Sequence, residues 1–283
     1  MSRSNKVLWL RSSTDTHPAF SALPIPFVHT AEFNEPQMLR DWAAGKNRDQ
    51  RFPTEPAEGV RTIRSIGERV EHGVLSTDRH LKIVISGSVE VTAVDGTRET
   101  LLPGDMVLSD DQQGDGHSLR YLGDCRVIEL LVGDWAPAEV MPYPPMTWPA
   151  PSATREPSLL RMYSGVDGQS YFSTFTELFD HGSGQPTPWI PTEGFYFVSM
   201  GDPLFLDWHP EDDNNLVIVL SGELELHADS DGGVNRIFGP GDICLAEDLT
   251  GKGHTDYLRG GTKMLIARIP AEYLWPSNYQ SVG

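Results

Sequence analysis

The feature that most constrains this chain is an internal repeat. "LKIVISG" at Leu81–Gly87 returns as "LVIVLSG" at Leu216–Gly222, and "PGDMVLSDDQQGDGH" from Pro103 returns as "PGDICLAEDLTGKGH" from Pro240. The order is preserved, and the turn "DSDGG" at Asp229–Gly233 accounts for the two extra residues between the blocks of the second copy. Self-similarity in fixed order marks a duplicated unit. The 283 residues therefore divide into two related domains, 1–150 and 151–283. Between the copies, "APAEVMPYPPMTWPAPSATREP" at Ala136–Pro157 carries seven prolines. Proline cannot donate to a sheet ladder, which predicts a stiff, extended connector.

Within each copy the pattern is that of short strands and tight turns. "LVIVLSGELELHA" runs in β-branched and aliphatic residues, "DSDGG" interrupts it, and "RIFGPGDICLAE" resumes; the first copy repeats this with "IVISGSVEVTAV", "DGT" and "LLPGDMVL". Glycine at the bends and almost no amphipathic periodicity predict an all-β antiparallel sandwich or barrel in each copy. The one helical stretch is "PQMLRDWAAG", Pro36–Gly45, with proline at its start and glycine at its end.

These residues carry a family resemblance. "SGELEL", then "PGD", then a histidine behind a glycine turn resembles the cupin family, and two such sets resemble a bicupin. The resemblance implies an all-β fold of two cupin-type jelly-roll β-barrels in tandem, with few short helices and a pocket in each barrel mouth. Metal-binding members present two histidines at i and i+2 of one strand, a glutamate a little further on, and a third histidine from a later strand. Side chains at i and i+2 share a face of a strand, so such a set looks into one barrel.

Counting back from Gly222, those positions fall on His209, Glu211 and Asn215, with His254 as the later histidine. Two imidazoles and a carboxylate could form a metal triad, although asparagine is a weak neutral donor and Pro210 could turn Glu211 aside. In the first copy the positions are Val74, Ser76 and His80, with His117 as the later histidine, which reads as a structural or dimerising copy.

Lys252 in "TGKGH" suggests guidance of an anionic substrate, but no phosphate loop is formed, since Ala246 and Gly253 stand where glycine and Ser or Thr are required. Trp208 alternates with His209 and is expected to point away from it. Cys125 and Cys244 have no zinc spacing and read as small apolar strand residues in a reducing compartment. A net charge of -18 disfavours nucleic acid and anionic membranes as partners. The only apolar start, "VLWL", is too short for a leader or a span, and the chain reads as cytoplasmic.

The leading functional expectation is an enzyme working by acid/base chemistry on a small organic molecule, of isomerase, cyclase, dehydratase or lyase type. His254 would be its base, His209 the acid and Glu211 an orienting group, with Asn215, Lys252, His80 and His117 as substrate-binding candidates. The alternatives are a metal-dependent oxygenase or decarboxylase, with Fe, Mn, Ni or Zn on His209, Glu211 and His254, and a non-catalytic binding or scaffold protein. The family suggests a homodimer.

Overall fold

The computed structural model describes residues 5–12, 19–23, 25, 27–29, 40–41, 43–46, 54–75, 78–135 and 156–273. Its elements are nearly all strands. The first ten are β1 (Val7–Arg11), β2 (Phe20–Ala22), β3 (Phe27–His29), β4 (Gly59–Ser65), β5 (Arg69–Val74), β6 (Arg79–Thr92), β7 (Arg98–Leu101), β8 (Met106–Asp110), β9 (His117–Gly133) and β10 (Leu159–Ser164). The others are β11 (Ser170–Thr174), β12 (Ile190–Pro191), β13 (Phe195–Ser199), β14 (Leu204–His209), β15 (Asn214–Ser221), β16 (Leu224–Ala228), β17 (Val234–Phe238), β18 (Ile243–Glu247), β19 (His254–Leu258) and β20 (Lys263–Ile269). The helix expected at Pro36–Gly45 falls largely outside the described residues; within it, Arg40, Asp41 and Ala43 are helical and Gly45 has a φ of 76°.

The described residues sort into two compact units. One is drawn from Met1–Ile25, Pro56–Glu156 and Leu178–Pro191, the other from Pro26–Glu55, Pro157–Glu177 and Thr192–Gly283. Each half thus lends a strand to the other unit: β3 pairs with β13 in the second, and β12 pairs with β4 in the first. A division of the sequence near residue 150 does not anticipate that exchange. The proline-rich stretch at 136–155 lies outside the described residues.

In the second unit a seven-stranded sheet, β11-β10-β18-β15-β20-β13-β3, is joined by a four-stranded sheet, β14-β19-β16-β17. Their inner faces share one apolar core that includes Met162, Val198, Leu206, Val219, Leu226 and Phe238. The first unit repeats this order as β2-β1-β8-β6-β9-β4-β12, with β5 on β9 and β7 on β6. It forms a single sheet because β6 and β9 run unbroken through both layers, where the second unit interrupts the equivalent strands between Ser221 and Leu224 and between Leu258 and Lys263. The parallel pairs β1 with β8 and β10 with β18 occupy the same place in each unit. This is the doubled, nearly all-β barrel architecture that the repeat predicts.

The shared turns have structural causes. Asp105 and Asp242 of the two "PGD" turns are fully buried. Asp242 accepts from Ser158 N at 2.6 Å and Gly239 N at 2.7 Å; Asp105 accepts from Lys6 N at 2.6 Å and Leu102 N at 2.8 Å. Each carboxylate therefore closes its own turn and anchors the residue that leads into β1 or β10. Cys125 and Cys244 are free and buried, as expected of strand residues. Among the described residues no helix is long and apolar enough to cross a membrane.

Candidate functional site

The second unit holds a partly open cavity of about 120 Å3. Most of its wall is apolar, with Val198, Leu206, Val217, Leu226, Leu258 and Met264 among the lining residues, and its polar end carries His209, Glu211, Asn215, His254 and Asp256. A register shift between Leu206 and His209 changes the phase of β14. It buries His209 and leaves Trp208 on the other side, edge-on to His227 at 5.5 Å and under Lys252 Nζ at 3.5 Å. Pro210 does not turn Glu211 aside, for Glu211 lines the cavity.

Each polar group is held from behind. His209 Nδ1 donates to the Asp207 carbonyl at 2.7 Å. His254 Nδ1 lies 2.8 Å from Asp248 Oδ2, which also accepts from Ser170 Oγ at 2.6 Å. Asn215 Nδ2 donates to Glu211 Oε2 at 2.8 Å. These bonds aim the remaining atoms at one another. His254 Nε2 is 3.0 Å from Asp256 Oδ1 and 3.8 Å from Glu211 Oε1, His209 Nε2 is 3.9 Å from Asp256 Oδ2, and the two imidazole rings are 4.6 Å apart.

Burial pushes the Glu211 carboxyl up to about 8, with Asp248 and Asp256 adding to the shift and His254 opposing it. Burial also lowers His209 below its ordinary value, against the pull of Asp256. For His254 burial works against the charged form, but Asp256 and Asp248 outweigh it and hold the imidazole well above its usual range. Asp256 is lowered in return: burial raises it, and His254 more than cancels that.

Asp256 is the site residue that the sequence reading missed. It stands at i+2 from His254 on β19, and the alternation that places His209 and Glu211 would have found it. Matching the family pattern drew attention to three positions before "SG" and to one histidine after it, and passed over this carboxylate. Of the other candidates, Asn215 lines the cavity, whereas Lys252 packs on Trp208 and pairs with Asp229.

The first unit differs at the corresponding positions. His117 Nδ1 lies 2.7 Å from Asp111 Oδ2, so the histidine–aspartate pair of the second unit is present here too. Beyond the pair, Val74 is opposite His117, and Leu119 stands where the second copy has Asp256; Ser76 lies outside the described residues. His80 Nδ1 is 3.0 Å from Glu129 Oε1 and its ring meets Trp189. Arg61 and Lys82 reach Glu129 at 2.5 and 2.8 Å. Through the strand registers Arg61, Lys82 and Glu129 correspond to Tyr196, Val217 and Ile266 of the cavity wall. An ion cluster occupies the first unit where the second has apolar wall.

The ligand atoms of His209, His254 and Asp256 lie within 4.8 Å of one another, a spacing that could hold a metal ion. The anchored Nδ1 atoms of both histidines are also what metal-bound imidazoles need in order to present Nε2.

No family model and no curated protein matches the sequence. Solved structures do. A "Cupin 2 conserved barrel domain protein" from Leptotrichia buccalis is 14% identical over 78% of this chain and 87% of its own, with a TM-score of 0.38. YhaK from Escherichia coli is 10% identical over 75% and 84%, with a TM-score of 0.30. Bacillus subtilis oxalate decarboxylase, whose structure concerns its Mn(II) centers, is 12% identical over 77% and 70%, with a TM-score of 0.27. Likenesses at these identities and TM-scores carry no argument for this chain. Its own doubled strand order and turns describe two related, nearly all-β units, and no activity is carried to it from such distant likenesses.

Proposed function

We propose that the second barrel binds a small organic molecule and moves protons on it, in a reaction of isomerase, cyclase, dehydratase or lyase type. One observation carries the reading: His209 Nε2, His254 Nε2 and the Glu211 carboxyl converge on the polar end of an apolar cavity, each side chain fixed from behind by a separate partner. Preorganisation of this kind suits groups that exchange protons with a bound substrate.

The hydrogen bonds favour a division of roles unlike the one expected from sequence. His209 donates an Nδ1–H hydrogen bond to a carbonyl, so its neutral tautomer offers a lone pair at Nε2, and it is the base. His254 has a carboxylate at each nitrogen, so it is held as an imidazolium that stabilises developing negative charge. Glu211, bridged to Asn215, is the acid that returns a proton.

Incubating the protein with a metabolite extract tests the reading. Conversion of a small metabolite by the wild type, lost in His209→Ala and in the cavity-filling Leu226→Trp, supports it. A wild type that binds a metabolite without converting it points instead to a non-catalytic binding protein.

A second reading is favoured by the anchored Nδ1 atoms: His209, His254 and Asp256 would hold a divalent metal, which supplies Lewis-acid polarisation of a substrate oxygen. Stoichiometric metal in the purified protein, lost in Asp256→Ala, would establish it.

A further inference from the structure

Resting on the reading of this cavity as a substrate site, we propose that the substrate carries a neutral hydroxyl, and that Asn215 selects it by accepting its hydrogen bond. Asn215 stands on β15 opposite Ala246 and Arg268 and lines the cavity beside Glu211. Its amide is fixed in one orientation, because Nδ2 donates to Glu211 Oε2 at 2.8 Å. That leaves Oδ1 as an acceptor, and Oδ1 is buried with no hydrogen-bond partner in the chain. A buried acceptor without a donor carries a desolvation penalty that only a donor relieves.

The first unit holds the completed form of the same position. His80 stands there, opposite Ser109 as Asn215 is opposite Ala246, and its Nδ1 is met by Glu129 Oε1 at 3.0 Å. In the second unit Ile266 takes the place of Glu129, so the chain brings no polar group to that point and the cavity lies there instead. The missing partner of Asn215 is thus one that a ligand brings. A hydroxyl gives its proton to a neutral amide oxygen with no charge on either side, and it leaves water for a mostly apolar cavity at far less cost than an ammonium. A carbonyl oxygen has no proton to give and would set acceptor against acceptor. A site built around a hydroxyl in this way rejects the analogue that lacks one. The rest of the ligand meets Val198, Leu206, Leu226 and Met264.

Calorimetric titration of the wild type with cyclohexanol, cyclohexanone and cyclohexylamine tests this, because one ring then carries a neutral donor, an acceptor alone or a cation. The alcohol is expected to bind about tenfold more tightly than either of the others. Asn215→Leu, which keeps the branched shape and removes both polar atoms, is expected to weaken the alcohol to the level of the ketone and leave the ketone unchanged, and Leu226→Trp to abolish alcohol binding. Ketone or amine binding as tight as that of the alcohol, no binding by the alcohol, an alcohol preference kept in Asn215→Leu, alcohol binding kept in Leu226→Trp, or a preference that vanishes on chelation would each overturn the proposal. The wild-type comparison decides the matter even where Asn215→Leu does not fold. Its failure is separable from that of the proton-transfer reading: equal binding of alcohol and ketone, with turnover still lost in His209→Ala, removes the hydroxyl alone, whereas a firm alcohol preference with turnover unchanged in His209→Ala removes the proton chemistry alone.

Discussion

His254 and His117 occupy the same place in two copies of one turn, and each has an aspartate six residues before it, Asp248 and Asp111, on its Nδ1. A pair kept in both units belongs to the turn, not to the chemistry of one cavity. Asp248→Ala and Asp111→Ala should therefore both destabilise, by about 3 kcal/mol each, because each leaves a buried imidazole without its partner. Urea unfolding of the two variants checks this. What separates the histidines is the atom beyond: Asp256 faces His254, while Leu119 stands at the matching position in the first copy. His209, Glu211, Asn215 and His254 were legible from family spacing alone. The role proposed for His209 was not, because it depends on a hydrogen bond to the Asp207 carbonyl that no residue type announces.

The doubled Gly-x-Gly turn is explained by close approach at its second glycine. A Cβ on Gly253 would fall on the His209 carbonyl, and one on Gly116 would reach the Val74 carbonyl, and both residues have positive φ, 77° and 70°. Gly114 also has positive φ but has open space around its Cβ position. Gly114→Ala should thus cost about 1 kcal/mol and Gly116→Ala or Gly253→Ala clearly more, with thermal melts as the check. The "PGD" turns make a second prediction at this scale. Asp105→Ala and Asp242→Ala each remove two backbone-to-carboxylate bonds and should cost roughly 3 kcal/mol. These elements were readable because glycine and turn aspartates act locally. The phase change in β14 was not, since a bulge depends on its partner strand.

Across the whole molecule, the two barrels spend the same inner positions differently. Glu129 is the centre of the first barrel's cluster: burial alone would raise its carboxyl, but Lys82, His80 and Arg61 outweigh burial and hold it well below its ordinary value of 4.5. A carboxyl depressed in the folded state contributes stability that is present above its unfolded value and lost as pH falls through the folded one. Acid unfolding should accordingly steepen below about pH 4.5, and Glu129→Gln should lower stability at neutral pH while flattening that acid limb. Duplication was legible because the repeat keeps its order, whereas the exchange of β3 and β12 involves two- and three-residue strands with no counterpart in the repeated blocks. A pocket in the second barrel was expected, but its apolar wall was not legible: Tyr196, Val217 and Ile266 stand where the first barrel has Arg61, Lys82 and Glu129, and only the strand registers align those positions.

The central claim, that the second barrel moves protons on a bound small molecule, is tested most directly by repeating the metabolite incubation in D2O. The account predicts solvent deuterium at a carbon of one metabolite with the wild type, and none with Glu211→Gln or His209→Ala. Turnover without deuterium incorporation, or incorporation that both variants retain, would contradict it.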